Sequence, residues 1–322
     1  METAGEMHRY ERILTKDLWK KLVSEEEARR HLWKLKFGEA GFSCRKCQSS
    51  KYWEHHSKTE LRTCRSCGTQ HRVRAGTIFE HSKLPLLKWF EALYFVMQDK
   101  RGVSCLQLKR MLGLSSMGTA WLMLMKIRKA LSDRDAHYQL DGVIELDGAY
   151  FVKDPELVAK GYEVLNKKKA VFVAVEQKQW VDDKGRTKSR AGFAKVYMDE
   201  NLTETKESAE KFIKQSIKLK ATLKTDGKLK NLSRKSDAKA LSGDRKLTEE
   251  HLPWVHKFIS NAKTWILGTH HGRIESKYLR YYLAEYTYRF NRRHDPNSLF
   301  YRALSACVLS APMRAHALTG NA

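Results

Sequence analysis

Val143-Ile144-Glu145-Leu146-Asp147 and Ala221-Thr222-Leu223-Lys224-Thr225-Asp226-Gly227 are two apolar, strand-like runs that each deliver an aspartate near the end. The chain around them is strongly basic, with 61 Lys and Arg against 37 Asp and Glu and a formal net charge of +24. Carboxylates set this way in a basic chain point to metal-assisted chemistry on a polyanion, in which acidic side chains hold divalent ions that clamp a phosphodiester for displacement. Nucleic acid is therefore the first substrate class to consider.

Working outward, the strand of Asp147 continues to Tyr150 and Phe151. After a charged loop ending Lys167-Lys168-Lys169, the wholly apolar run from Ala170 to Val175 reads as a central strand, and Gly192 to Met198 as a third. An amphipathic helix is expected from about Glu204 to Lys218, and then comes the short strand that ends at Asp226. Three strands, a helix and a further strand ending in an acid is the element order of an α/β, RNase H-like fold, whose first and fourth strands carry metal-binding aspartates side by side. The bland reading is that Asp147-Gly148 and Asp226-Gly227 are turn dipeptides. Glu145 shares a strand face with Asp147 and either helps to hold the site or pairs with a lysine. The lysine-rich stretch between Lys218 and Lys246 reads as a loop that follows a DNA backbone or is partly disordered without DNA.

The N-terminal third reads as two small modules behind one or two leading helices within residues 8–37. Cys44-Arg45-Lys46-Cys47 and Cys64-Arg65-Ser66-Cys67 are Cys-x2-Cys knuckles separated by sixteen residues, the spacing of a structural zinc site closed by four thiolates. His55, His56 and His71 lie nearby and are read as surface or phosphate contacts. An apolar helix over Leu84–Asp99 follows, then a short helix capped by Ser104, a break at Leu112-Gly113-Leu114 and a longer helix from about Ser116 that carries Lys126, Arg128 and Lys129. That is a helix-turn-helix pattern, although an ordinary three-helix bundle has the same periodicity.

Six cysteines, four of them clustered, suit metal ligation in a reducing compartment better than a disulfide frame, and Cys105 and Cys307 read as ordinary buried thiols. No run of 18 apolar residues would cross a bilayer, and the start lacks the pattern of a signal peptide, so a cytoplasmic protein without membrane partners is expected.

Taken in order, the cysteine quartet, Glu145-Leu146-Asp147, Thr225-Asp226-Gly227, His251-Leu252-Pro253-Trp254-Val255-His256 leading to Ser260-Asn261-Ala262-Lys263, Leu267-Gly268-Thr269-His270-His271-Gly272, and Tyr282 through Arg293 resemble the bacterial insertion-sequence DDE transposases with an N-terminal zinc ribbon and an ISXO-type catalytic domain. The resemblance divides the chain into leading helices (1–40), zinc ribbon (41–80), helix-turn-helix (81–138), RNase H-like DDE domain (139–296) and C-terminal tail (297–322), the tail being either a closing helix or a loose end. It implies a catalytic set of Asp147, Asp226 and, at the third position, Asn261, holding Mg²⁺ or Mn²⁺, with Glu285 completing the metal site or orienting arginines. Lys263, Arg289 and Arg292 would face the transferring phosphate, and one of His256, His270 and His271 would touch it. The implied partners are double-stranded DNA, both terminal inverted repeats and target, with at least a dimer on paired ends. Gly148 and Val152-Lys153 depart from the family pattern. A nuclease of the same fold and a domesticated DNA-binding regulator remain as other readings.

Overall fold

The computed structural model describes residues 24–38, 41–55, 60–153, 168–198, 205–229, 232–233, 236–240, 245–272 and 274–319. A leading helix expected before residue 24, His56, and a minor part of the lysine-rich stretch lie outside them. The chain divides into two compact units, residues 1–131 with 294–322 and residues 132–293. Among the described residues no helix is long and apolar enough to cross a membrane.

The first unit is tied together by one glutamate. Ser24 and Glu27 form a capping box that opens α1 (Glu25–Phe37). α2 (Leu86–Gln98) starts after Pro85, which has no side chain able to cap it. Glu25 supplies the cap instead, accepting from the backbone N–H groups of Leu86 at 2.8 Å and Leu87 at 3.0 Å. Between these helices, β1 (Tyr52–Glu54), β2 (Leu61–Cys64) and β3 (Gln70–Arg72) form an antiparallel sheet.

α3 (Cys105–Met111) is capped by the Ser104 hydroxyl, and Gly113, at φ 61°, turns the chain toward α4 (Met117–Ala136). The short helix, turn and long helix are thus where the sequence places them. Two basic side chains are not free to meet DNA: Lys126 and Arg128 are 6% and 1% exposed. Lys126 donates to the carbonyls of Ile78 and Glu80, so its alkyl stem is core and its charge serves backbone oxygens.

In the second unit β4 (Val143–Lys153), β5 (Lys168–Val181) and β6 (Thr187–Tyr197) are antiparallel neighbours. α5 (Lys206–Ser216) leads to β7 (Thr222–Asp226), which lies parallel to β4 on its other side. β8 (Ser236–Lys239) then pairs in parallel with β7, giving the order β6-β5-β4-β7-β8 of an RNase H-like fold. The segment read as loop therefore contains a strand. Ser-Asp-Ala-Lys at a half-exposed edge carries no apolar alternation that could signal it.

One face of the sheet, with Ile144, Leu146, Phe172, Ala174 and Leu223, buries against Ala209, Phe212 and Ile213 of α5. After α6 (Arg245–His251), α7 (Pro253–His270) lies along β4 and β5, and α8 (Leu279–Asn291) along β6. Phe258 and Trp265 of α7 pack on Tyr286 and Phe290 of α8. The end of α8 is a clasp. Asn291 accepts from the N–H of Ala194 at 2.7 Å and donates to its carbonyl at 3.0 Å, completing the edge of β6 as another strand would. Arg292 pairs with Asp135 at 2.6 Å, and Arg293 donates to the carbonyls of Ala191 and Gly192.

The chain then returns to the first unit as α9 (Pro296–Leu309), whose Phe300 meets Phe90 and Tyr94 while Tyr301 meets His31. Residues 297–322 thus contain a closing helix and not a loose end. Because Arg292 is 7% exposed, Asp135→Ala would strand a buried charge. It is expected to destabilise the second unit by about 3 kcal/mol, read from denaturant unfolding.

Candidate active site and metal centre

Parallel strands bring the two aspartates together. Ile144 lies opposite Leu223 and Leu146 opposite Thr225, so the next residue on each strand is Asp147 and Asp226. Side-chain alternation sends both, with Glu145 and Lys224, to the face away from α5, and adjacent strands lie about 4.8 Å apart. Neither Asp-Gly is a hairpin turn. Gly148 sits inside β4 opposite Phe172, and at Gly227 a Cβ would come within 3.1 Å of the Ala240 Cα, so that glycine permits close backbone approach.

The hexapeptide His251–His256 docks α7 on that face. His251 Nε2 lies 3.1 Å from the carbonyls of Thr225 and Asp237, joining the end of α6 to β7 and β8 beside Asp226. Leu252 gives no side-chain cap and Pro253 no N–H, so the first amides of α7 needing acceptors are those of Trp254 and Val255. Glu145 accepts from both, at 2.7 and 2.8 Å. Burial pushes its carboxyl up to about 7, against the downward pull of these two bonds, Lys224 and Lys257. The next residue, His256, holds its Nε2 3.7 Å from Asp147 Oδ2. Burial lowers the imidazole below its ordinary value, Asp226 opposes this and Lys263 reinforces it.

The other expected site residues divide by helix phase. At about 100° per residue, Lys263 is about 20° around α7 from His256, and Asn261 about 140°. Asn261 is exposed, away from the face that meets Asp147, whereas Lys263 reaches over the Phe151 ring at the end of β4, 5.8 Å from its centroid. Glu285 is fully buried and pairs with Arg289 at 3.3 Å, the guanidinium lying over the Trp265 ring. Arg292 is held in its clasp with Asp135. The structure thus gathers Asp147, Asp226, His256 and Lys263, and places Asn261, Glu285, Arg289 and Arg292 in other surroundings. His270 packs edge-on against Trp265 and Tyr282, while His271 is the left-handed C-cap of α7. The place of His256 beside Asp147 depends on the phase of α7. Its seven-residue spacing to Lys263, two helical turns, was the available signal.

The second cluster lies in the first unit, where the Sγ atoms of Cys44, Cys47, Cys64 and Cys67 are all within 4.8 Å of one another. A tetrahedron with Zn–S bonds of about 2.3 Å has sulfur edges near 3.8 Å, so the set fits a zinc ion. The knuckles are twins: Gln48 donates to the Cys44 carbonyl and Gly68 to that of Cys64, both with positive φ. Among the described residues a small core of Phe42, Cys44 and Cys64, with Phe37 and Tyr52 packed against it, supports this module. His71 is buried edge-on to Phe42 and is not the surface contact expected, and His55 pairs with Thr63.

Residues 139–291 match the family described as the ISXO2-like transposase domain. The chain carries an ISXO2-like transposase domain. Comparison with curated proteins and with solved structures gives no match. The family implies nucleotidyl transfer on DNA and a divalent ion, for which the paired carboxylates of the transposase domain are chemically suited. With so little core around the sulfurs, Cys64→Ser is expected to lower bound zinc from about one ion per chain to near none. The same change should open residues 41–75 to limited proteolysis; metal analysis and mapped cleavage check both.

Proposed function

We propose that the chain is an insertion-sequence transposase that binds the terminal inverted repeats of its element and carries out strand cleavage and strand transfer through Asp147, Asp226 and His256. The observation that carries this reading is the convergence of two strands and one helix on a single point: Asp147 and Asp226 from neighbouring parallel strands, and His256 3.7 Å from Asp147.

Asp147 and Asp226 would hold Mg²⁺ or Mn²⁺, which when bound activates the attacking oxygen and neutralises charge on the transferring phosphate. His256, kept neutral by burial, offers a ring nitrogen to the same place without adding negative charge. Lys263, on the same side of α7, brings a positive charge toward the phosphate. Water attacks first at the element end, and the freed 3′-hydroxyl then attacks target DNA, so no covalent protein intermediate is needed. Asn261 is replaced in this set by His256. Glu285 and Arg289 brace α8 against α7, and Arg292 holds α8 to Asp135.

The zinc ribbon and the α3–α4 pair are assigned to the terminal repeats. In the latter, Ser115, Ser116 and Gly118 are exposed where a recognition helix would enter the major groove. Two element ends require two copies, so the working particle is a dimer or larger on paired ends, acting in the cytoplasm.

Strand transfer by the purified protein on a labelled duplex carrying its own terminal repeat, with Mg²⁺, tests the reading. Joined products are expected from wild type and none from Asp226→Ala. Cleavage without joining would mark a nuclease, and binding with neither a regulator; both overturn it. His256→Ala is expected to slow cleavage about 10²-fold or more, while Asn261→Ala stays near wild type, and the reverse order would restore Asn261 to the site.

A further inference from the structure

We propose that Glu145 is a positioning residue whose carboxylate fixes the first turn of α7 on β4 and thereby sets His256 against Asp147. The proposal rests on the transposase reading for its functional consequence, though its geometry stands apart from it. β4 and α7 touch through two consecutive pairs: Glu145 with the amides of Trp254 and Val255, then Asp147 with His256. On the strand these are neighbours on one face, and on the helix they are successive residues. No slack separates the anchor from the side chain it would place.

A glutamate is a costly choice for this duty. It is fully buried, and a serine at the N-cap would serve the helix end more simply. What a local cap would lack is reach, since Glu145 joins the helix end to the strand that carries Asp147, across 109 positions of sequence for Trp254. The start of α7 depends on it, because Leu252 and Pro253 provide no alternative cap. Lys224 on β7 and Lys257 on α7 supply the positive charge that accompanies the buried carboxylate.

The test compares Glu145→Ala, Glu145→Gln and the double variant Glu145→Ala/His256→Ala in strand cleavage and duplex binding by the full chain with Mg²⁺. Glu145→Ala is expected to lower the cleavage rate about 30-fold with duplex affinity unchanged, because the loss is in placement of a reacting group. Glu145→Gln, whose amide oxygen accepts the same two bonds, is expected to recover to within about threefold of wild type. In the His256→Ala background the Glu145 change is expected to cost nothing further, a non-additivity that general loss of stability would not produce. Losses that multiply, or a glutamine as damaging as alanine, would overturn the proposal. Should Glu145→Ala not fold, Glu145→Met, similar in length and without an acceptor, takes its place. Amide hydrogen exchange separates this proposal from the transposase reading. If wild type neither cuts nor joins, that reading falls, and exchange alone decides whether Glu145 anchors α7. Faster exchange at Trp254 and Val255 in Glu145→Ala, absent in Glu145→Gln, establishes the anchor, and unchanged exchange in both removes it.

Discussion

The parallel pairing of β4 with β7 is the constraint on which the rest of the second unit depends. It is the only arrangement in the sheet that sets Asp147 and Asp226 side by side, since β5 and β6 run antiparallel on the far side of β4. Two carboxylates side by side on strands about 4.8 Å apart repel each other and lose solvation to any helix laid over them. The fold must therefore close that face with something that tolerates negative charge. The start of α7 does so: helix N-terminal amides point at Glu145, and the positive end of the helix dipole faces the acidic strand ends.

The run of charged and amide residues at the end of α8 has a different logic. Tyr-Arg-Phe-Asn-Arg-Arg looks like a phosphate clamp in sequence, yet in the fold Asn291, Arg292 and Arg293 spend their hydrogen bonds on Ala194, Asp135, Ala191 and Gly192. An exposed edge strand invites pairing with another chain. Clasping β6 with side-chain amide and guanidinium groups seals that edge while α8 packs beside α7. A basic motif in a DNA-handling domain can thus be architectural, and burial distinguishes the two uses where sequence does not.

Much of this was legible in the sequence because it rests on local chemistry. The Cys-x2-Cys spacing, Ser104 as a helix cap, and the apolar strands bearing Asp147 and the segment from Ala170 to Val175 declare themselves within a few residues. The failures share a cause as well. β8 lacks alternation because its neighbour is on one side only and its faces are half open. Lys126 and Arg128 look like surface charge because alkyl stems bury without an apolar letter. His71 looked solvent-facing until β3 turned it onto Phe42. At the site, His256 and Asn261 sit at different phases of α7, and that phase is set by contacts with residues far off in sequence: Glu145 at the helix start, and Tyr286 and Phe290 against Phe258.

Charge accounting connects the site to its substrate. If His256 stands in place of a third acid, as proposed, the set of Asp147, Asp226 and a neutral imidazole carries two negative charges, and Lys263 offsets part of that. A pair of divalent ions would bring four positive charges, more than these residues neutralise. On the proposed reading the balance comes from the phosphodiester, so ion and DNA each favour the other's binding. The +24 background acts in the same direction: it raises the local concentration of DNA and opposes ion uptake before the DNA arrives. On that reading the site would gather its full complement of metal only on its substrate, which would restrain cutting in a protein whose overall charge attracts any duplex.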